Sequence, residues 1–310
     1  MTEPTLYRFM AVVRYEILWN VRKKKVMGIL VLVFSLATLS LALPLALSSA
    51  YGRPLSANPD HVINAGAFLG EVGFFLVAVV ISMNSVSGEF ESGTIVPLLS
   101  KPVSRTTIFV GKLFAALVTL SAAYALLFLY LVVGGTVVFG PQNNLDLVPV
   151  LFAGSIASTF VWVAIVMAIG SASKSSLTAA LGAFGIWLGL GLVTGIYGAF
   201  SGETWILTYV PGAGATGYIA QASGGPFSGP AVRTGIASIP DNLVTLLLHP
   251  SAVVNFPQVD ILAGVTRASA QFYTESISYV VTLSVVVASV YIVAFSLAAW
   301  LALKRAQIAE

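Results

Sequence analysis

Residues 113–139 read LFAALVTLSAAYALLFLYLVVGGTVVF, a run of 27 residues without one charge. A helix rises 1.5 Å per residue, so about 20 apolar residues cross a hydrocarbon core of about 30 Å. This run is long enough to span with some tilt. Five more uncharged or nearly uncharged runs occur, at 26–50, 66–86, 147–173, 175–200 and 277–303. Only the second holds an ionisable residue, Glu71, near its start. Backbone groups in lipid must be satisfied within their own segment, and the short alternating strands of a barrel are absent. The expected fold is therefore an all-α integral membrane protein with six spans, forming one membrane domain over residues 1–310.

The bulk composition agrees. Of 310 residues 57% are hydrophobic and 9% charged, against roughly 25% charged in a soluble domain. Mean hydropathy is +0.94. A soluble enzyme and a disordered chain are both excluded, because a domain of this size keeps a large wet exterior. With no Cys and two His, thiol chemistry is impossible and a metal centre has little material. The net charge of +3 does not point to nucleic acid, since the basic residues cluster at the ends of spans. The triplet Ser48-Ser49-Ala50 resembles a cleavage site, but the preceding apolar run is too long for a signal peptide, so the first span is expected to be retained.

Lys and Arg set the orientation. With the N-terminus inside, twelve of the fifteen fall on the cytoplasmic side, among them Arg22 to Lys25, Lys101, Arg105, Lys112, Lys174, Lys304 and Arg305; Arg53, Arg233 and Arg267 fall outside. Both termini are expected in the cytoplasm and the chain in the cell membrane.

Outside the spans, Leu6, Phe9, Met10, Val13, Ile17 and Val21 recur at helical spacing within residues 5–22, while Arg8, Arg14, Glu16 and Asn20 take the other positions. This predicts an amphipathic helix with a basic face, flat on the cytoplasmic interface. Residues 87–105 form the one sizeable cytoplasmic loop, with Glu89 and Glu91 early, Pro97 and Pro102 within, and basic residues after. A short helix under the membrane fits this pattern, its exposed apolar side chains wanting a partner. The segment 201–275 is external. Its apolar stretches 243–248 and 253–256 are too short to span and are expected to be re-entrant or interfacial helices.

Chemistry-bearing motifs are few. No Gly-x-x-x-x-Gly-Lys-Ser/Thr loop occurs; Gly170 to Ser176 contains Lys174 but lacks the second glycine. Glu71 is the one plausible intramembrane acid and could line an external vestibule or simply meet lipid headgroups; a proton relay needs more than one such group. Ser228 and His249 do not suggest a protease. In the fifth span Gly185/Gly189 and Gly191/Gly195 stand four residues apart, a spacing that lets helices approach closely, within the chain or across a dimer.

The loop then carries a resemblance. Glu89-Phe90-Glu91-Ser92-Gly93-Thr94, then Leu98-Leu99-Ser100-Lys101-Pro102-Val103-Ser104-Arg105, then Gly111-Lys112 resembles the loop signature of the ABC-2 permeases of ABC transporters. The basic interfacial helix, six spans and external segment before the last span are similar too, and the overall look is closest to the NosY type, although the absence of Cys gives copper cargo no support. The resemblance implies a permease subunit of an ATP-driven exporter, without an ATPase motif of its own and not itself an enzyme. Two permease subunits, copies or paralogues, would pair above two cytoplasmic ABC ATPase subunits that hold ATP and Mg²⁺. Glu89, Phe90, Glu91, Gly93, Thr94, Leu98, Leu99 and Arg105 would couple to the ATPase. Lys101, Arg105 and Lys112 would anchor the loop to lipid phosphates or to the partner. Membrane lipids are further partners, and an external accessory protein is a candidate one. The competing readings are a secondary transporter or channel working without ATP, and a membrane scaffold that moves nothing.

Overall fold

The structure is a computed structural model. It describes residues 5–22, 24–65, 70–94, 103–201, 205–212, 214–221, 228–257 and 272–306. Among these, ten α-helices follow in order: α1 Thr5–Arg22, α2 Lys25–Ala50, α3 His61–Ala65, α4 Gly70–Ser82, α5 Ser87–Glu91, α6 Arg105–Phe139, α7 Val148–Ser173, α8 Ser176–Ser201, α9 Ile239–Leu248 and α10 Ile277–Arg305. Six helical segments are long and apolar enough to cross a membrane; the second runs from Gly70 through a turn to Glu91. The expected start of that span, 66–69, lies outside the described residues.

The outer spans bury one stripe and leave the rest for lipid. In α2, Ile29, Val33, Ala37 and Leu41 recur every fourth residue and are buried, while Val31, Leu39 and Leu43 are exposed. Helix α7 is the axis of the bundle. Its residues Val161 to Ala168 are buried on every side, and it packs against α4, α8, α9 and α10. Inside the bundle Tyr124 on α6 and Thr159 on α7 share a hydrogen bond of 2.6 Å between hydroxyls, which satisfies two polar groups that lipid could not. Helix α8 is peripheral. It is held by Phe184 and Trp187 against Phe75 of α4, the Phe75 and Trp187 rings stacking at 5.3 Å.

Two ends can be distinguished. The basic end carries α1, α5, the α7–α8 turn at Lys174 and the end of α10. Ser104 caps α6 there, accepting from the Thr107 N–H at 3.0 Å. The C-terminal end of the described chain lies at this end, as Arg105 shows by donating to Leu303 O, Lys304 O and Ala306 O at 3.2, 2.8 and 3.1 Å.

The other end differs from expectation. Residues 239–248 do form a helix, α9, but 253–256 is a strand. Four strands, β1 Thr216–Ile219, β2 Ala231–Arg233, β3 Val253–Pro257 and β4 Phe272–Ser276, make an antiparallel sheet in the order β2-β1-β3-β4. Val253-Val254-Asn255-Phe256 lies between Pro250 and Pro257, which leaves no room for helix turns, and β-branched and aromatic residues favour strands. The sheet unit is clamped to the bundle. Ser158 of α7 donates to Ile236 O at 2.7 Å, and the Gly235 N–H donates to Ser284 Oγ of α10 at 3.1 Å. A Cβ at Gly154 would stand 2.7 Å from Pro240 Cα, so this contact requires glycine.

Candidate coupling site

The basic end is organised around Lys112. Its side chain is 2% exposed, about two turns into α6. The Nζ donates to Glu16 Oε1 of α1 at 2.5 Å, to Ser85 O at 2.7 Å and to Glu89 Oε1 of α5 at 2.7 Å. An ammonium has three N–H groups, and all three are used. An unpaired buried charge would be expelled or neutralised. Here two carboxylates from separate elements converge on one lysine. Residue 112 therefore ties α1, α5 and α6 together. Lys112 was expected to anchor to phosphates or a partner; it is buried in an ion-paired hub instead.

This hub corrects the reading of α1. The helix occupies the expected 5–22, but its inward stripe is Phe9, Val13, Glu16 and Asn20; Glu16 and Asn20 are buried. Leu6, Met10 and Val21 point outward and are exposed. The polar positions turn inward because Lys112 needs an anion. Close approach is allowed by Gly111 of α6, where a Cβ would stand 2.7 Å from Val12 Cγ1.

The short helix α5 is tied on its other face to the α7–α8 turn. Glu91 accepts from the Ser176 N–H at 2.6 Å and from the Ser176 hydroxyl at 2.7 Å. It thus serves the N-terminus of α8, where N–H groups lack helical partners. Ser87 Oγ and Ser176 Oγ are 3.1 Å apart, and Lys174 Nζ lies 5.4 Å from the Phe90 ring centroid, a cation–π contact. Gly93, at φ 70°, lets the chain turn sharply after α5. Thr94 follows, its hydroxyl 2.9 Å from Ser92 Oγ. A cleft of about 410 Å³ opens beside these groups, lined by Glu16, Trp19, Glu89 and Glu91 among others.

The expected coupling residues thus separate. Glu89, Phe90, Glu91, Gly93 and Thr94 come together on and after α5. Arg105 sits apart, on the end of α10. Leu98, Leu99 and Lys101 lie outside the described residues. The helix expected through this loop is described only as Ser87–Glu91. Glu71 lies in the first turn of α4, at the opposite end. A Cβ placed on Gly185, Gly189, Gly191 or Gly195 would meet nothing within 4 Å, so these glycines serve no close helix approach within the described chain; Gly182, facing Ile169 at 3.2 Å, does. Sequence reasoning missed Glu16, Ser85 and Ser176. One signal was available: Glu16 is the single acidic residue in the stretch 4–59.

Six apolar helices long enough to cross a membrane, with a short helix tied to α1, α6 and α8 at the basic end, define a multi-pass membrane protein. The sequence matches the model of the ABC-2 family transporter proteins over residues 10–306, and the chain belongs to that family. Members are typically the membrane permease component of ABC transporters and work with ABC ATPase subunits. No curated protein matches the chain.

Proposed function

We propose that this chain is the permease subunit of an ATP-driven exporter in the cytoplasmic membrane, both termini facing the cytoplasm, with the basic end receiving the ATPase. Two ABC ATPase subunits, holding ATP and Mg²⁺, would dock beneath a pair of permease subunits. Within the family we read the chain as nearest the NosY type, a reading supported by the resemblance of its loop sequence. The observation that carries the reading is the double anchorage of α5: Lys112 joins it to α1 and α6, and Ser176 joins it to α8. A push on residues 87–94 is then delivered to the two spans α6 and α8 and the interfacial helix together. Two ATPase states that contact this segment differently would bias two arrangements of the spans. The open glycine face of α8 offers a surface for the second permease copy.

The test is purification of the tagged chain from its native membrane in mild detergent, followed by assay of nucleotide hydrolysis. The reading expects a co-purifying ATPase with a phosphate-binding loop. It also expects the Glu16→Gln/Lys112→Met/Glu89→Gln variant to retain that subunit while losing ATP-dependent transport. Native isolation with no hydrolase attached, and none binding when supplied, overturns the reading.

A further inference from the structure

At the sheet end a cavity of about 430 Å³ opens between the start of α4, strand β2 and helix α9. It lies at the opposite end from Lys112 and is independent of the coupling reading. Its size falls in the range of small-molecule sites. Val72, Ala231 and Val232 supply apolar wall. The amide of Asn242 is occupied, donating to Arg233 O at 2.7 Å, and the Thr245 hydroxyl donates to Asp241 O at 2.9 Å. The Glu71 carboxylate lies against Gly212, where a Cβ would stand 3.1 Å from Oε1.

Two lining groups are left over. The carboxylate of Asp241 and the guanidinium of Arg233 have no hydrogen bond or ion pair among the described residues, and they are not paired with each other. Asp241 is half-buried in the first turn of α9. A carboxylate held out of water without a cation is costly. A guanidinium in contact with it would close on it as a forked ion pair, and no such pair is formed here. Both residues instead line one cavity, Asp241 half-buried and Arg233 exposed. The chemistry that satisfies both at once is a molecule with a cation at one end and an anion at the other. Among the described residues no aromatic ring lines the cavity, so they offer a quaternary ammonium no cage. A primary ammonium, which donates hydrogen bonds to a carboxylate, fits instead.

We propose that this cavity binds a small zwitterion, its primary ammonium on Asp241 and its carboxylate or phosphate on Arg233. Two sources share that chemistry: a phosphoethanolamine lipid headgroup and a free amino acid.

Calorimetric titration of the full chain in phosphatidylcholine nanodiscs, with phosphoethanolamine, phosphocholine and alanine as probes, tests this. Phosphoethanolamine or alanine should bind, and phosphocholine at least tenfold more weakly than phosphoethanolamine. Asp241→Asn, which keeps the side-chain shape and removes a buried charge, should weaken the binding probe at least tenfold; Arg233→Gln should do the same. Nanodiscs doped with phosphatidylethanolamine assign the source: lost probe binding marks the lipid headgroup, and unchanged binding marks the free zwitterion. No binding of either primary-ammonium probe by the parent chain overturns the proposal. So does unchanged affinity in a folded Asp241→Asn protein.

Discussion

Glu91 of α5 holds the first residue of α8: its two carboxylate oxygens take the backbone N–H and the hydroxyl of Ser176, at 2.6 and 2.7 Å. A residue expected from its sequence to face an ATPase is thereby engaged within the chain. Replacing Glu91 with Lys would disturb α8 whether or not a partner touches it, so the clean variant is Glu91→Gln, which keeps one acceptor. Amide hydrogen exchange at residues 176–179 should accelerate severalfold in Glu91→Ala and much less in Glu91→Gln. Equal protection in the parent and Glu91→Ala would contradict the cap.

The Lys112 hub makes a second prediction. Lys112→Met strands two carboxylates, and breaking a buried pair from one side costs about 3–5 kcal/mol. The purified variant should lose thermal stability sharply. Adding Glu16→Gln and Glu89→Gln should restore much of it, because the stranded charges are gone. A double-mutant cycle measures the coupling directly. Additive losses would show that Lys112 acts alone.

How much of this was legible depended on range. The six spans could be read because each is a local property: an uncharged run such as 113–139 has only one solvent open to it. The hub could not. Glu16 and Lys112 are 96 positions apart, and a glutamate on the polar side of an amphipathic helix looks like a solvated residue until its partner is known. The sheet failed for the same reason. Val253 pairs with Ser276 across the segment between them, and nothing within 253–257 records that partner. Of the loop motif, Glu89 to Thr94 stay together on and after α5, while Arg105, in the same motif, is drawn away to the carbonyls at the end of α10.

Asp241 predicts a pH dependence. Burial pushes its carboxyl from the ordinary 3.8 up to about 7. The folded state therefore holds a proton that the unfolded chain releases between these values. Stability falls as pH rises from about 4 to about 7, by at most about 1.4 kcal/mol per pH unit, and levels off above. His61, whose pKa burial lowers from 6.5, works oppositely: its contribution rises with pH until 6.5 is passed. Comparing Asp241→Asn with the parent isolates the carboxyl from His61, Glu71 and Arg233. Thermal unfolding at pH 5 and pH 7.5 should show a gain for the variant at both, clearly larger at the higher pH. An unchanged difference between the two pH values would contradict the assignment.

The glycines of α8 predict an interface between copies. The sequence has no Cys, so a cysteine at Gly189 is the one thiol in the chain. It faces open space, so folding should be unaffected. Mild oxidation in the membrane should give a dimer on a non-reducing gel, and Gly191→Leu should abolish it. A control on the buried side, Gly154→Ala, should destabilise by about 1–3 kcal/mol through its clash with Pro240. Free monomer from the Gly189 cysteine would place the second copy elsewhere.

The central claim is that force enters through α5 and the turn after it. Ser92 is exposed there and can carry a cysteine-linked photo-crosslinker in an otherwise thiol-free chain. Illumination in native membranes, followed by mass spectrometry, reads out the neighbour. The account predicts a crosslink to a nucleotide-hydrolysing subunit. Crosslinks to lipid or to the chain itself alone, in membranes where that subunit is present, would contradict it.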